Sequence, residues 1–424
     1  MRTLVIGSGA REHALVRALL KDPAVTSVAC APGNAGIAHE VPTHALQVDD
    51  PVAAVALADE LGIEFVVVGP EVPLVAGVAD ALRAAGIPTF GPSAAAAQLE
   101  GSKAFAKDVM LAAGVPTAEA RVCDTLAEVA AALDEFGAPH VVKDDGLAAG
   151  KGVIVTSDRS AALAHAADCL AAPGRRVVIE AFLDGPEVSL FLVSDGERVV
   201  PLSPAQDFKR IFDNDEGPNT GGMGAYSPLA WAPAGLVDEV VETVALPVIR
   251  ELARRGTPFQ GLLYAGLALT SRGTRVIEFN ARFGDPETQV VLARLVSPLG
   301  QLLYRAATGT LSEQPPLQWI EGAALTVVMA AAGYPGTVRS GDAISGIEVA
   351  DGREGVDVLH AGTKQAAGVV LTNGGRVLSV TAVGADLDEA RARAYLAVAD
   401  IVWEGEQHRT DIALAAAEGR IRLP

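Results

Sequence analysis

The sequence has few cysteines, few aromatic residues and a deficit of basic residues. Its three cysteines, Cys30, Cys123 and Cys169, are odd in number and far apart, which excludes a disulfide framework and a paired cysteine metal site. The chain has 33 Lys and Arg against 52 Asp and Glu, a formal net charge of −19 that argues against nucleic acid as a partner. Small phosphorylated ligands are not excluded, because a pocket needs only a few lysines and backbone N–H groups.

Long apolar runs and targeting signals are also missing. No apolar run approaches the roughly 18 residues of a membrane helix, and Met1–Gly9 enters a short strand instead of a basic segment followed by a long apolar stretch. We therefore expect a cytoplasmic protein without a membrane partner. The sequence also lacks a His-Glu-x-x-His zinc motif and a Ser/His/Asp signature, so covalent catalysis by a side chain is not indicated.

Length and composition predict several folded domains. The 424 residues exceed what one hydrophobic core supports, and half of them are apolar. The first hundred residues alternate β-branched strands with Ala- and Leu-rich helices, the pattern of βαβ units around a parallel sheet. Hairpin signals follow, and a final series of strands begins at Ala323. We predict an α/β and α+β multidomain protein with domains at 1–101, 102–320 and 323–424.

Three loops follow the carboxyl ends of predicted strands in the first domain. They are Gly7–Gly9, Ala31–Asn34 and Gly69–Glu71, and we expect them to share a crevice because ligands of open α/β sheets bind at that edge. The first loop resembles a dinucleotide fingerprint, but Glu12 replaces its third glycine. This favours a phosphate or sugar at the helix N-terminus over a nicotinamide cofactor, with a turn that binds nothing as the alternative.

A glycine-rich segment with nearby lysines predicts phosphate binding. Gly146–Gly152 resembles a Walker A loop, but its glycines are one residue too close and Gly152 replaces the magnesium-binding Ser or Thr. Because β-branched strands flank it, we interpret it as a flap whose N–H groups close over phosphates, with a plain flexible hairpin as the alternative. Lys103, at the start of a helix, and Lys143, in an otherwise apolar strand, are candidate phosphate ligands.

A strand near residue 278 predicts a metal site. Strand alternation places Glu278 and Asn280 on one face, roughly 7 Å apart, and Mg²⁺ prefers such oxygen ligands together with substrate phosphates. An exposed salt bridge of Glu278 is the alternative. Asp207 and Arg282 are candidates to clamp the amine and carboxylate of a small zwitterion, unless their loops are plain surface. Cations, oxygen ligands and a flap together suit phosphoryl transfer.

Seven segments carry a resemblance that covers essentially the whole chain. They are Gly9–Ala14, Ala31–Gly36, Val68–Glu71, Leu99–Lys103, Asp145–Val153, Gly217–Pro228 and Glu278–Glu287. On these segments the chain resembles the phosphoribosylamine–glycine ligase family of the ATP-grasp superfamily. The resemblance implies an N-terminal domain like that of biotin carboxylase, an ATP-grasp domain with a flap subdomain at about 122–188, and a small β-rich C-terminal domain. It also implies ATP-dependent joining of glycine to 5-phosphoribosylamine through glycyl phosphate, with Mg²⁺ or Mn²⁺, in purine synthesis.

The same resemblance implies roles for individual residues. The ATP-binding residues would be Lys103, Lys143, Gly146, Gly150, Lys151, Gly152, Glu180, Phe182 and Glu187. The metal ligands would be Glu278 and Asn280. The residues that position glycine or the phosphoribosyl group would be Gly9, Asn34, Glu71, Asp207, Thr220, Gly221, Gly222 and Arg282, with Asp207 and Arg282 catalytic.

Two positions depart from the family pattern. Asp144 stands where the family has alanine, and Phe208 stands where it has histidine. Alternation along the strand should turn Asp144 away from Lys143, so we expect ATP binding to be preserved. Two other functions stay open: a different ATP-grasp carboxylate–amine ligase, and a nucleotide-binding regulatory module without turnover. We expect a monomer, with a weak dimer as the alternative.

Overall fold

The computed structural model describes residues 1–147 and 152–424. Gly150 and Lys151, two of the predicted flap residues, lie outside the described residues. No helix in the described part of the chain combines the length and apolarity needed to cross a membrane.

The N-terminal region is a parallel sheet with helices around it. Its elements are β1 (Arg2–Gly7), α1 (Ala10–Leu20), β2 (Ser27–Pro32), α2 (Ile37–Glu40), α3 (Pro51–Glu60), β3 (Phe65–Val68), α4 (Glu71–Val75), α5 (Val78–Ala84), β4 (Thr89–Phe90) and α6 (Ala94–Gly101). The strands pair in the parallel order β2-β1-β3-β4, as the βαβ pattern predicts. Two short helices follow β3, because Gly77 adopts a left-handed φ of 85° and separates α4 from α5.

Two antiparallel sheets form the middle region. Its elements are α7 (Lys103–Ala113), β5 (Ala120–Cys123), α8 (Leu126–Phe136), β6 (His140–Asp144), β7 (Val153–Thr156), α9 (Arg159–Cys169), β8 (Val177–Glu180), β9 (Glu187–Asp195), β10 (Val199–Pro201), β11 (Gln206–Asp207), β12 (Arg210–Phe212), β13 (Glu216–Asn219), β14 (Gly224–Ser227), α10 (Leu236–Val240), α11 (Leu246–Arg254), β15 (Gln260–Thr270), β16 (Gly273–Asn280), α12 (Glu287–Arg294) and α13 (Leu299–Thr308). The first sheet has the order β5-β8-β6-β7 and the second β10-β9-β15-β16. Ser102 caps α7, since its side chain accepts a hydrogen bond from the Phe105 N–H. Pro298 is the N-cap of α13 and separates it from α12.

The last region is also mainly antiparallel sheet. Its elements are β17 (Ala323–Ala330), α14 (Ile347–Asp351), β18 (Val356–His360), β19 (Thr363–Ala366), β20 (Val369–Thr372), β21 (Arg376–Gly384), α15 (Leu387–Val398) and α16 (Leu414–Ala417). The main sheet has the order β11-β14-β17-β21-β18, so two strands of the middle region join three strands of the last region. In particular, β14 pairs antiparallel with β17, with Gly224 opposite Val327.

The hydrophobic core is shared across the predicted domains, except in the flap subdomain. One large cluster contains buried side chains from all three regions, among them Val66, Leu263 and Leu325. The sheet of β5 to β8 has a separate small cluster that includes Val142 and Ile179. A subdomain with its own core can move relative to the rest without opening the main core.

Candidate active site

Lys143 links the two sheets of the middle region. It lies on β6 with only 3% of its surface exposed, and its Nζ is 2.9 Å from Glu180 Oε2 on β8. The same Nζ donates a 2.9 Å hydrogen bond to the carbonyl oxygen of Ile277 on β16. A buried lysine is stable only with such compensation. Lys143 and Glu180, both predicted to bind ATP, are thus in direct contact in this structure.

Sequence reasoning missed a second lysine at Glu180. Lys107 Nζ lies 3.0 Å from Glu180 Oε1 and donates to Thr117 Oγ1 at 2.9 Å and to the Ala118 carbonyl at 3.1 Å. Burial lowers the pKa of Lys107, an effect that Glu180 opposes and Lys143 reinforces. The available signal was its position one helical turn after Lys103, on the same helix face.

The start of the flap is tied to the N-terminus of α7. Lys103 Nζ donates to the Gly146 carbonyl at 3.0 Å. The Asp145 carboxylate accepts hydrogen bonds from Ser102 Oγ at 2.9 Å and from Arg176 at 2.7 Å. Lys103 and Gly146 therefore meet, as expected of two groups around one phosphate site.

Asp144, one of the two positions that depart from the family pattern, has its side chain directed away from Lys143. Its carboxylate pairs with Arg175, whereas Lys143 contacts Glu180. The Asp144 backbone N–H donates to the Gly152 carbonyl at 2.7 Å, which holds the far end of the flap against β6. The two neighbouring side chains have separate partners, in agreement with strand alternation.

The predicted metal ligands lie on β16. Burial tends to raise the pKa of Glu278, but Lys143, Lys209, Lys103 and Arg282 outweigh it and lower that pKa. Within residues 1–147 and 152–424, neither the Glu278 nor the Asn280 side chain makes a hydrogen bond or salt bridge to protein. An ionised carboxylate and an uncommitted amide oxygen on one strand fit a divalent cation with oxygen ligands.

The remaining predicted ATP residues follow β8. Phe182 is 45% exposed and Leu147 is 38% exposed, so apolar surface is available on the segments that follow Glu180 and Gly146. Glu187 begins β9, and its carboxylate pairs with Lys209 Nζ. An exposed aromatic ring is a suitable surface for a flat heterocycle.

Asp207 lies on β11 with its side chain 8% exposed. Burial, together with the negative charges of Glu287 and Glu187, raises the pKa of Asp207 to about 7, although Lys209 opposes this shift. Lys209 Nζ is 3.8 Å from Asp207 Oδ1. The carboxyl group is therefore able to gain or lose a proton near neutral pH.

The second departure, Phe208, contacts a residue that sequence reasoning did not identify. The Arg409 guanidinium lies 5.0 Å from the centre of the Phe208 ring, and Arg409 is 1% exposed. Arg409 also pairs with Asp215 and Asp411 at 2.7 Å. The stacking of a cation on an aromatic ring attaches the 206–210 loop to the last region of the chain.

The loop at 220–222 is held at both backbone groups of its central glycine. The Gly221 N–H donates to Tyr334 Oη at 2.9 Å, and its carbonyl accepts from Arg376 at 2.7 Å. Thr220 Oγ1 donates to the Lys209 carbonyl and accepts from the Gly222 N–H, both at 2.9 Å. Neither Tyr334 nor Arg376 belongs to the motifs that predicted the site, since both come from the last region of the chain.

Arg282 joins the first and middle regions. Its Nε lies 3.2 Å from Glu71 Oε2, and its NH2 lies 2.9 Å from Glu100 Oε1. Arg282 therefore contacts Glu71, a predicted site residue, and Glu100, a carboxylate that was not predicted. Burial raises the pKa of Glu100, and Glu71 adds to this, while Arg282 opposes it. Burial also acts to raise the pKa of Glu71, but Arg282 and Arg11 lower it.

Gly9 and Asn34 lie on the crevice loops as predicted. The Gly9 N–H donates to Glu12 Oε2 at 2.6 Å, and a Cβ at Gly9 would be 3.3 Å from Asp285 Oδ2. Asn34 Nδ2 donates to the Ser8 carbonyl at 2.8 Å and to the His360 carbonyl at 2.7 Å. The Asn34 amide thus connects two loops in this structure.

The predicted residues form two adjoining groups. Lys103, Lys143, Glu180 and Glu278 surround a junction of the two middle sheets, whereas Gly9, Glu71, Gly221 and Arg282 lie where all three regions meet. Arg282 contributes to both, since its charge also lowers the pKa of Glu278. Such an arrangement can place a nucleotide phosphate beside a small acceptor.

Comparisons with known proteins agree over the full length. Three family models match: the phosphoribosylglycinamide synthetase N domain at residues 1–100, its ATP-grasp (A) domain at 101–288 and its C domain at 324–415. A phosphoribosylamine–glycine ligase of Streptomyces coelicolor is 66% identical over 419 residues, 98% of this chain and 100% of that protein. One of Mycobacterium tuberculosis is 58% identical over 429 residues and covers 100% of both.

Solved structures show the same architecture. The crystal structure of phosphoribosylamine–glycine ligase from Thermotoga maritima is 31% identical, with a TM-score of 0.83 over 97% of this chain and 100% of that one. A biotin carboxylase–β-γ-ATP complex from Campylobacter jejuni is 14% identical, with a TM-score of 0.74 over 97% and 94%, and shows the fold alone. The predicted fold class and the family resemblance are confirmed, while the domain limits and site roles stay predictions. The chain belongs to the phosphoribosylamine–glycine ligase family of ATP-grasp enzymes.

Proposed function

We propose a route by which this chain carries out the reaction of its family, the ATP-dependent ligation of glycine to 5-phosphoribosylamine in purine biosynthesis. ATP transfers its γ-phosphoryl group to glycine to form glycyl phosphate. The amine of 5-phosphoribosylamine then displaces phosphate and forms glycinamide ribonucleotide.

The observation that carries this route is the environment of Glu278. Lys143, Lys209, Lys103 and Arg282 all lower its pKa, and they come from separate elements of the fold. Such a concentration of positive charge around one carboxylate suits polyphosphate and a metal ion, because phosphoryl transfer depends on positioning and charge neutralisation. Glu278 and Asn280 would hold Mg²⁺ or Mn²⁺, which when bound neutralises charge on the phosphate oxygens.

The nucleotide would lie between the two sheets of the middle region. Lys103 and Lys143 would contact the phosphates under the flap, Phe182 would face the adenine and Glu187 the ribose. Glu180 and Lys107 would keep Lys143 in position, since Glu180 contacts both lysines at 2.9–3.0 Å. Release of Lys143 from Glu180 toward a phosphate would exchange one anionic partner for another.

The chemical steps would take place between Arg282 and Asp207. Arg282 would orient the glycine carboxylate, one oxygen of which attacks the γ-phosphorus while ADP leaves. The nitrogen of 5-phosphoribosylamine would then attack the carbonyl carbon of glycyl phosphate, and the carbon–oxygen bond to phosphate breaks. Asp207, with a pKa of about 7, would accept the proton that the attacking nitrogen loses.

The cellular location and the oligomeric state of the enzyme also follow from these observations as proposals. The absence of paired cysteines and the substrates of the family support a cytoplasmic enzyme that acts on small molecules. We propose that it works as a monomer, because one chain supplies both groups of site residues.

The test follows the carboxylate oxygen atoms of glycine into the released phosphate. Glycine labelled with ¹⁸O in both carboxylate oxygens is incubated with Mg²⁺, ATP and 5-phosphoribosylamine, and each component is omitted in turn. We expect ADP and glycinamide ribonucleotide only when all are present, with one ¹⁸O in the released phosphate. Unlabelled phosphate would contradict glycyl phosphate, and turnover with another acid or amine would change the substrate assignment.

A further inference from the structure

Arg376 extends from the last region of the chain into the crevice of the first. It is the first residue of β21, and its NH1 nitrogen donates to the Gly221 carbonyl at 2.7 Å and to the Asp285 carbonyl at 2.6 Å. The same nitrogen lies 3.3 Å from Asp285 Oδ1. The Gly222 carbonyl is a fourth partner at 3.5 Å, and contacts with oxygens of two segments restrict the orientation of the guanidinium group.

The backbone next to Arg376 is fixed as well. A Cβ at Gly375 would lie 2.3 Å from Cδ2 of Tyr334, so the ring of Tyr334 packs directly on the Gly375 backbone. The hydroxyl of Tyr334 accepts the hydrogen bond from the Gly221 N–H. Tyr334 and Arg376 therefore hold Gly221 from both sides, and the position of Arg376 relative to the 220–222 loop is set before any ligand binds.

The guanidinium group still has donors to offer. Among the described residues its Nε and NH2 atoms have no hydrogen-bond partner, and its side chain is 23% exposed. The other arginines of the crevice are more fully committed to carboxylates: Arg11 to Glu12 at 2.5 Å, and Arg282 to Glu71 and Glu100. Arg376 therefore keeps two nitrogen atoms, Nε and NH2, that can donate to an added anion.

The carboxylate beside Arg376 belongs to Asp285, which also approaches the start of α1. A Cβ at Gly9 would be 2.8 Å from Glu12 Oε2 and 3.3 Å from Asp285 Oδ2. The Asp285 carboxylate is already committed, because its Oδ1 accepts from Gln289 Nε2 at 2.9 Å and lies beside Arg376. Burial acts to raise the pKa of Asp285, but Arg376 and Arg11 lower it, which keeps it as a fixed partner.

We propose that Arg376 binds the phosphate of the phosphoribosyl substrate and makes the enzyme select a phosphorylated amine. The inference rests on the proposed function, which requires a sugar phosphate in this crevice. The Nε and NH2 donors of one guanidinium match two oxygens of a phosphate, a geometry that a lysine cannot reproduce. The last region of the chain thereby supplies a residue that binds the substrate, in addition to the contacts that support the 220–222 loop.

The test uses stable sugars in place of the reactive amine. Binding of ribose 5-phosphate and of ribose is measured by calorimetry for the wild type, Arg376→Gln and Arg376→Lys, with ATP binding measured alongside. Arg353→Gln is the matched control, because Arg353 lies on the surface of the same region and pairs with Asp400. Product formation by the wild type from glycine and 5-phosphoribosylamine is established first, so that failure of the proposed function is seen separately.

We expect the wild type and Arg353→Gln to prefer ribose 5-phosphate over ribose. Arg376→Gln should lose at least about tenfold in affinity for ribose 5-phosphate and nothing for ribose or ATP, with Arg376→Lys intermediate. The KM for 5-phosphoribosylamine should rise by a similar factor. An equal loss for both sugars would show that Arg376 only supports the loop, and unchanged affinity for ribose 5-phosphate would exclude it from the site.

Discussion

Replacement of Lys107 by methionine tests how Glu180 holds Lys107 and Lys143 together. Lys107 Nζ has three protein contacts: Glu180 at 3.0 Å, Thr117 at 2.9 Å and Ala118 at 3.1 Å. A hydrogen bond to a charged group contributes about 1.5–3 kcal/mol and a neutral one about 1 kcal/mol. Glu180 still contacts Lys143 in this variant, so the loss of stability should lie at the lower end of the cost of breaking a buried salt bridge. We expect Lys107→Met to destabilise this subdomain locally by about 3 kcal/mol.

Hydrogen exchange at the backbone amides of β6 and β8 measures this loss directly. A loss of about 3 kcal/mol corresponds to exchange roughly a hundredfold faster when opening is local. The control is Arg121→Gln on β5 of the same sheet, which removes a pair whose side chains are 56% and 44% exposed. Such an exposed pair contributes at most about 1 kcal/mol, less than a tenfold change in exchange.

The same substitution should weaken ATP binding. With Lys107 gone, Lys143 alone neutralises Glu180 and is less available to phosphate, so we expect the Kd for ATP to rise at least about fivefold. Exchange in Lys107→Met no faster than in Arg121→Gln, together with an unchanged Kd for ATP, would refute the role assigned to this lysine pair.

Three further predictions concern the metal, the proton and the glycine loop. Glu278→Gln should leave less than about a tenth of kcat/KM at saturating Mg²⁺, a loss of more than about 1.4 kcal/mol, and greater retention would remove Glu278 from the metal site. Because the base form of Asp207 is needed, kcat/KM should rise with pH up to about 7 and then level off, and a pH–rate profile of Asp207→Asn should lack that rise. Gly222→Ala should lower the melting temperature and raise the KM for glycine, since Gly222 has a φ of 113° and a Cβ there would lie 2.4 Å from Pro286. The control is Gly256→Ala, at a φ of 78° with no atom within 4 Å of the added Cβ, which should lower the melting temperature less. An equal fall in melting temperature for both variants would contradict the close contact at Gly222.

The sequence predicts the parts of the site that belong to local patterns. Strand alternation around Glu278 and Asn280 and the polar residue Lys143 in an apolar strand are visible in a few neighbouring residues. The parallel sheet of the first region follows from the same kind of periodicity, although Gly77 divides a helix that the apolar pattern alone would continue. These features depend on local backbone geometry, which short stretches of sequence determine.

The missed residues depend on contacts between distant segments. Arg376 and Tyr334 reach Gly221 across more than a hundred residues of chain, and Arg409 reaches Phe208 in the same way. Nothing in the sequence neighbours of Arg376 distinguishes it from a surface arginine, because only the folded chain brings its partners close: backbone carbonyls and the Asp285 carboxylate. The departure at Phe208 is likewise explained only when the Arg409 side chain is seen on the ring.

The sheet that combines strands of the middle and last regions has a consequence for folding during synthesis. Strands β11 and β14 enclose residues 208–223, which include β12 and β13, and β14 depends on β17 for its second neighbour in the sheet. When only the first 300 residues have been made, all strands of the two middle sheets are present in the chain, but β14 lacks its neighbour β17 and one of its edges is unpaired. A nascent chain should acquire the ability to hold ATP before it can hold the sugar phosphate, and a chaperone that covers exposed strand edges would act in that interval.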